Sequence, residues 1–468
     1  MRFYTVSATT LLMLGCMPPG SVQISGTTQD TPTTGTGSQV DSPTFSDLTW
    51  ELHPEQESLV YVSWEQQGTG MVHVEYEIDP GEWRQSPSQL AEEGSNFRLI
   101  VGIPYEHTVP WRVVAENTSV DGEPITTGDL RPNLPLGTVT VSDDAHWIDT
   151  GTYFLTSINQ EAVGWSGGTY WTFIIDRKGR VIWYQRTPED HWTLYTQVAV
   201  TGDHLLIDEA TYWASGFDDG AGSRVHRTYL DELIETIPTP GLHHAFVQLP
   251  DSTLTWGSQD HGNGEALVEK APGQVDDTVI WSCPGEWFVW GQCESNSMYY
   301  DPNRGGPEGT YLYSFYTNST LVELDRATGE NLWWAGEEPG GYSFDPPNSE
   351  FSWQHGINWT PQGTLLVSTE GGDPTTTWVR EYIVDDVTET LTEVWNFNAG
   401  VRADTNGDAR RLANGNTLHV VGSASQIIEI DPSGIPVWRV EFEYDKLLGR
   451  GQFIEDLYTL MSPTPQAP

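Results

Sequence analysis

Three features of the sequence predict an all-β protein. Its 468 residues include 47 Gly and 30 Pro, which interrupt helices, alongside 21 Trp and 19 Tyr, which suit the pleated, half-buried surface of a strand. Apolar and polar residues alternate over short runs bounded by Gly, Asp and Asn, as strands joined by tight turns require. One hairpin pattern also recurs six times at a period of roughly 50 residues, which belongs to the blades of a β-propeller.

Read from the start, Met1 and Arg2 lead an apolar run ending Leu11-Leu12-Met13-Leu14-Gly15-Cys16. The run is shorter than the roughly 20 residues that span a bilayer, and its position marks residues 1–16 as an export signal. Its small-then-Cys ending resembles the lipobox of bacterial lipoproteins, with Cys16 as the lipidated first residue of the mature chain. The expected location is therefore a bacterial membrane, at its periplasmic face or the cell surface, with the lipid as the only membrane contact. Residues 17–44 lack aromatic side chains and are rich in Thr, Gly, Ser and Pro. They cannot bury a core and read as a flexible linker.

Residues 45–131 follow as a separate unit. FSDLTWELHPEQESLVYVSWEQ, MVHVEYEID and NFRLIVGIPYEHTVPWRVVAEN alternate apolar and polar positions with turns between them, as in a small β-sandwich. The unit resembles a fibronectin type III module, which implies support or a protein-binding role. PNLPLG, residues 132–137, forms the boundary.

The hairpin repeat occupies residues 138–458, with a tail over 459–468. Its copies are WTFIIDRKGRVIWY, RVHRTYLDELIETI, EALVEKAPGQVDDTVIW, STLVELDRATGENLWW, REYIVDDVTETLTEVW and QIIEIDPSGIPVW. Most contain an Asp and a Gly in the turn and close on a tryptophan: Trp183, Trp281, Trp333, Trp395 and Trp438. Packing between neighbouring blades explains these tryptophans better than cofactor stacking does. A second element precedes several hairpins. HAFVQLPDSTLTW, ESNSMYYDPNRGGPEGTYLYSF, HGINWTPQGTLLV and GDARRLANGNTLHV place His244, Glu294, His355 and Gly407 at one repeat-equivalent position. That position starts the innermost strand of a blade, so two histidines and a carboxylate should meet around the central channel.

Charge narrows the function. Asp and Glu number 66 against 21 Lys and Arg, a formal net charge of −45, and the only lysines are Lys178, Lys270 and Lys446. A nucleic acid gains affinity by exchanging counterions for cationic side chains, so nucleic-acid binding is excluded as a main role. With Cys16 carrying lipid, Cys283 and Cys293 remain, and an oxidising compartment favours their disulfide. No second Cys or His pair stands at ligand spacing beside them, so no metal site is expected there. Asp404-Thr405-Asn406-Gly407-Asp408 has the oxygens of a calcium loop but lacks the distal Glu.

GLHHAFVQLPDSTL, ESNSMYYDP, YLYSFYTNSTLVELDRATGENLWW, FSWQHGINWTPQGTLLVST, REYIVDD and GDARRLANGNTLHVVGSASQIIEIDPSGIPVW resemble, in order, the bacterial arylsulfotransferases. The resemblance covers about residues 145–458. It implies a six-bladed propeller behind a small β-sandwich, and an enzyme that moves a sulfuryl group from an aryl sulfate to a phenol. The reaction would pass through a sulfohistidine and use no nucleotide donor and no cofactor. By motif, His355 in WQHGINW corresponds to the nucleophile and His244 to a second channel histidine. Glu294 stands where the family carries a His, Tyr316 where it carries an Arg, and Ala245 and Gly356 where an Asp follows each motif His. His243, Asn296, Gln354 and Arg380 are further candidates for the channel lining. The competing reading is a non-catalytic propeller that binds a ligand or protein through the same channel.

Overall fold

Alternation decides the strands, and strand pairing then decides the architecture. The computed structural model describes residues 42–161, 168–189, 191–210, 222–261, 264–287, 293–370 and 375–463. The expected export signal, Cys16 and nearly all of the linker lie outside the described residues.

The N-terminal strands form two packed sheets. Thr44–Leu52, Val60–Gln67 and Gly94–Ile100 make one, and Gly70–Asp79, Glu82–Gln85, Trp111–Ala115 and Thr118–Asp121 make the main path of the other. Alternate residues of each, among them Val60, Val62, Trp64, Val72, Val74, Tyr76, Trp111 and Val113, point into a shared core. The outer face of the first sheet is not left to solvent. Leu59, Tyr61, Leu99 and Val101 pack on Ile174, Trp183, Leu205 and Ile207 of the following domain. Asp79 adds ion pairs to Lys178 at 2.6 Å and Arg180 at 2.9 Å.

From Thr138 onward the chain is a β-propeller, built among the described residues from six four- or five-stranded sheets. The six repeat hairpins supply the third and fourth strands of the sheets counted from the axis, and two sheets carry a fifth strand outside them, Ser343–Asp345 and Thr138–Ser142. The turn chemistry is the one read from the sequence: the Asp176 carboxylate accepts from the amides of Lys178 and Arg180, both at 2.9 Å, and Asp431 accepts from Ser433 and Ile435. Gly179 and Gly434 follow at φ +81° and +87°, where a β-carbon would be strained. The closing tryptophans bind the sheets to one another. Trp183 Nε1 donates to the Leu230 carbonyl, Trp281 Nε1 to Asn331 and Trp438 Nε1 to the Arg177 carbonyl, each across a sheet boundary.

The innermost strands lie edge to edge around the axis: Gln197–Val198, Leu242–Gln248, Ser295–Asp301, Gly356–Trp359, Asp408–Arg411 and Gln452–Ile454. They touch so closely that a β-carbon at Gly356 would lie 2.5 Å from Asp408 Cα. The ring is closed at both edges. Gln452–Ile454, near the C-terminus, is the innermost strand of the first sheet, and Thr138–Ser142 is the outermost strand of the last. The expected tail over 459–468 begins later than its boundary, because Leu460, Met461 and Ser462 are buried and the Leu460 carbonyl accepts from Leu230 N. These apolar residues belong to the core shared with the N-terminal sheets.

Candidate active site

The repeat-equivalent positions converge as their placement at the strand starts requires. Glu294, His355 and Gly407 each stand immediately before an innermost strand. His244 lies inside Leu242–Gln248, where the register slips between Leu242 and Phe246 and frees both histidines of the pair from regular pairing. Gly407 stands so near that a β-carbon there would lie 3.8 Å from His355 Cβ. The Cys283–Cys293 disulfide ties the end of the third sheet to the residue just before Glu294.

His355 is held by its own backbone. Its Nδ1 lies 2.7 Å from the Trp353 carbonyl, an acceptor only, so Nδ1 carries the proton and Nε2 keeps its lone pair. Nε2 has no hydrogen-bond partner among the described residues. Burial pushes the imidazole pKa down to about 4 against the raising effect of the Trp353 bond, and the Arg450 charge lowers it further. At neutral pH the imidazole is uncharged and its orientation is fixed by that bond.

His244 faces it across the site. Burial is the chief cause of a pKa held well below the ordinary histidine value, with His243 and His355 adding like-charge repulsion. Behind it runs a polar chain: His244 Nδ1 meets His243 Nδ1, and His243 Nε2 lies 2.9 Å from the Glu265 carboxylate. Glu265 is also bonded by Ser295 N at 2.8 Å, Ser295 Oγ and the Tyr313 hydroxyl, so the chain is anchored in two neighbouring sheets.

Glu294 and Tyr316 form one unit, with the phenol donating to the carboxylate. Burial raises the Glu294 pKa, opposed by that bond. The Tyr316 ring stands 5.8 Å from the His244 ring and 5.9 Å from the Trp353 ring. Trp353 itself is 46% exposed and adopts φ +48°, a conformation that costs a bulky residue energy unless its surroundings require it. The result is an aromatic wall running from solvent to two neutral imidazoles, with a phenol and a carboxyl able to give or take a proton.

Three expected lining residues sit elsewhere. Asn296 and Gln354 are fully buried and clamp sheets together: Asn296 Nδ2 donates to the Gln354 carbonyl at 2.7 Å, and Gln354 Nε2 donates to the Phe315 and Thr320 carbonyls. Arg380 lies on the third strand of its sheet, paired with Glu393 and stacked over Trp378. His243 is buried behind His244 and held by the Glu265 carboxylate. Cys283 and Cys293 are paired as expected. Among the described residues no group of three or more His, Cys, Asp or Glu could hold a metal, and Asp404 and Asp408 are ion-paired to Arg402 and Arg410.

Sequence reasoning missed Glu265, Trp353 and Arg450. Glu265 is one of 66 acidic residues and carries no spacing signal; Arg450 lies in LLGRGQF, outside every repeat. Trp353 stands two residues before the motif His, and its proximity was the available clue.

Residues 282–443 match the family model described as Arylsulfotransferase (ASST). No curated protein matches the chain. Among solved structures it is similar to a protein of unknown function from Bacteroides caccae, at 15% identity and TM-score 0.40 over 62% of this chain and 93% of that one. It is similar also to TolB from Acinetobacter baumannii, at 10% identity and TM-score 0.43 over 74% and 78%. A third is the Cps50 (Swd1) β-propeller domain of Myceliophteria thermophila, at 14% identity and TM-score 0.36 over 65% and 86%.

Proposed function

We propose that the chain, whose residues 282–443 match the arylsulfotransferase family model, transfers a sulfuryl group from an aryl sulfate to a phenolic acceptor through His355. His355 Nε2 attacks the sulfur, the N–S bond forms, and the S–O bond to the aryl group breaks with its electron pair on the phenolate. A phenolic acceptor then attacks the same sulfur, the N–S bond breaks, and His355 returns to its starting state as the acceptor loses its proton.

The observation that carries this reading is the Trp353 bond to His355 Nδ1, which leaves a neutral Nε2 aimed away from the backbone. Sulfuryl transfer, like phosphoryl transfer, passes through a loose transition state, so positioning and donors to the equatorial oxygens do most of the work. His244 is the first such donor. His244 Nδ1 meets His243 Nδ1, whose Nε2 meets the Glu265 carboxylate, and this chain orients the His244 ring toward the reacting group. The Tyr316–Glu294 pair supplies the proton taken up by the departing phenolate and accepts the one released by the incoming phenol. A raised Glu294 pKa suits this exchange and lessens its repulsion of a sulfate ester. Trp353 and Tyr316 flank the aryl ring.

The same proposal includes a six-bladed propeller, a fibronectin type III-like sandwich in a supporting role, and export with a lipid on Cys16. The buried disulfide supports an oxidising location.

Intact-mass analysis of the soluble part after exposure to 4-nitrophenyl sulfate, beside His355→Ala, tests the reading. It expects a gain of about 80 Da, one SO₃, with 4-nitrophenol released, and neither in the variant. A folded protein with its disulfide intact that gains no mass and releases no phenol from several aryl sulfates would overturn it.

A further inference from the structure

The channel has a second chemical face, where the innermost strands end. A cavity of about 730 Å³ opens there, away from both site histidines. Its walls combine apolar and aromatic groups, Met298, Tyr299, Pro361 and Trp359, with a set of arginines. Three of these arginines are neutralised by carboxylates: Arg304 by Glu323, Arg410 by Asp408 and Arg411 by Glu381. Arg450 differs, since no described carboxylate pairs with it.

Arg450 is nevertheless fixed. Its backbone amide donates to the Leu194 carbonyl at 2.7 Å, and its guanidinium lies 4.6 Å from the Tyr195 ring centre. One terminal nitrogen donates to Ser297 Oγ and the other reaches the Met298 carbonyl at 3.4 Å. Nε is shut off from solvent and has no hydrogen-bond partner among the described residues. What sets Arg450 apart is its place in the cavity wall, where a guanidinium without a carboxylate partner among the described residues offers a cation to an anionic ligand. The surrounding rings and prolines define the rest of the ligand, a planar apolar body of small-molecule size.

We propose that this cavity is a second binding site, taking a small aromatic anion whose carboxylate or sulfonate-type oxygens meet Arg450 while its ring lies against Tyr299 and Trp359. The site does not depend on the sulfuryl-transfer reading. It is separate from His355 in its lining, although the Arg450 charge is felt there. An anion on Arg450 would relieve that repulsion, so occupancy at one face would tune the nucleophile at the other.

The test is calorimetric titration of the full chain with 4-nitrobenzenesulfonate, whose carbon–sulfur bond prevents it from acting as a sulfuryl donor. One-to-one binding is expected, weakened at least tenfold in Arg450→Met, which keeps the side-chain stem over Tyr195. Tyr299→Ala, at a half-buried position, is expected to weaken it about fivefold and guards against misfolding of the first variant. His355→Ala and Trp353→Ala should bind as the wild type does. Binding that survives Arg450→Met but fails in Trp353→Ala or His355→Ala would place the probe at the histidine face and overturn the proposal. Equal affinity for uncharged nitrobenzene would overturn it too. Neither result would bear on whether His355 accepts SO₃ from an aryl sulfate.

Discussion

The Nδ1 of His355 hydrogen-bonds the carbonyl of Trp353, two residues earlier in the chain, at 2.7 Å. A five-atom stretch of backbone therefore selects the imidazole tautomer, and the residue that supplies the carbonyl also supplies the aromatic flank. The two roles of Trp353 can be separated by substitution.

Trp353→Ala retains the carbonyl and removes the ring. The variant is expected to raise KM for aryl sulfates roughly three- to tenfold, the worth of one aromatic contact, with little change in kcat. Since the ring is half exposed, the unfolding midpoint should stay where it is. Steady-state kinetics with two donors of different ring size would check this, and a loss confined to kcat would contradict it.

Glu265→Gln addresses the polar chain behind His244. Without the carboxylate, the chain through His243 that orients the His244 ring is weakened. The transfer rate should fall by roughly 10- to 100-fold, as when one preorganised donor is lost. Ser295→Ala removes a different bond to the same carboxylate and should cost less than about threefold. Pre-steady-state release of 4-nitrophenol distinguishes the two.

Stability should fall on acidification, with a sign that follows from buried neutral histidines. Burial holds His419 down at about 3 and His355 at about 4, so the unfolded chain binds protons that the folded chain refuses. The stabilisation is complete above the ordinary histidine pKa near 6.5 and is lost progressively as pH drops toward those folded values. Asp208, pushed up to about 6 by burial, acts oppositely below that pH and blunts the slope. His419→Gln should lose less stability between pH 6.5 and 5 than the wild type, by something of order 2 kcal/mol. Urea unfolding at the two pH values measures the difference; parallel losses would contradict it.

Gly356→Ala places a methyl group 2.5 Å from Asp408 Cα. The innermost strands must part, which should destabilise the fold by about 1–3 kcal/mol and move His355 with its strand. A lowered thermal midpoint together with reduced turnover is the expected result.

Much of this was legible in the chain itself, for identifiable reasons. The hairpins read clearly because each pairs an alternating strand with an Asp-based turn, as at Asp176 and Asp431, and both signals are local. Repeat equivalence placed His244, Glu294 and His355 together because a propeller converts the same position in successive repeats into neighbours around one axis. What stayed hidden depends on contacts between distant segments. Gln452–Ile454 is three residues long and shows no strand pattern alone; it is a strand because Tyr153–Asn159 pairs with it. Arg380 looked available until its Glu393 partner was placed beside it, and Asn296 and Gln354 stood beside motif residues while serving as clamps between sheets. Glu265 could not be told from other carboxylates before His243 was seen to reach it.

Closing the ring with strands from both ends of the propeller sequence has a temporal consequence. During synthesis the first sheet emerges early, yet its inner edge at Tyr153–Asn159 has no partner until Gln452–Ile454 leaves the ribosome. For most of translation the protein carries an open strand edge, the kind of surface that invites mispairing and chaperone attention. The segment that finally caps this edge also delivers Arg450. The nascent chain thus acquires the last of its described strands and the Arg450 guanidinium in one late event, and premature termination would remove both together.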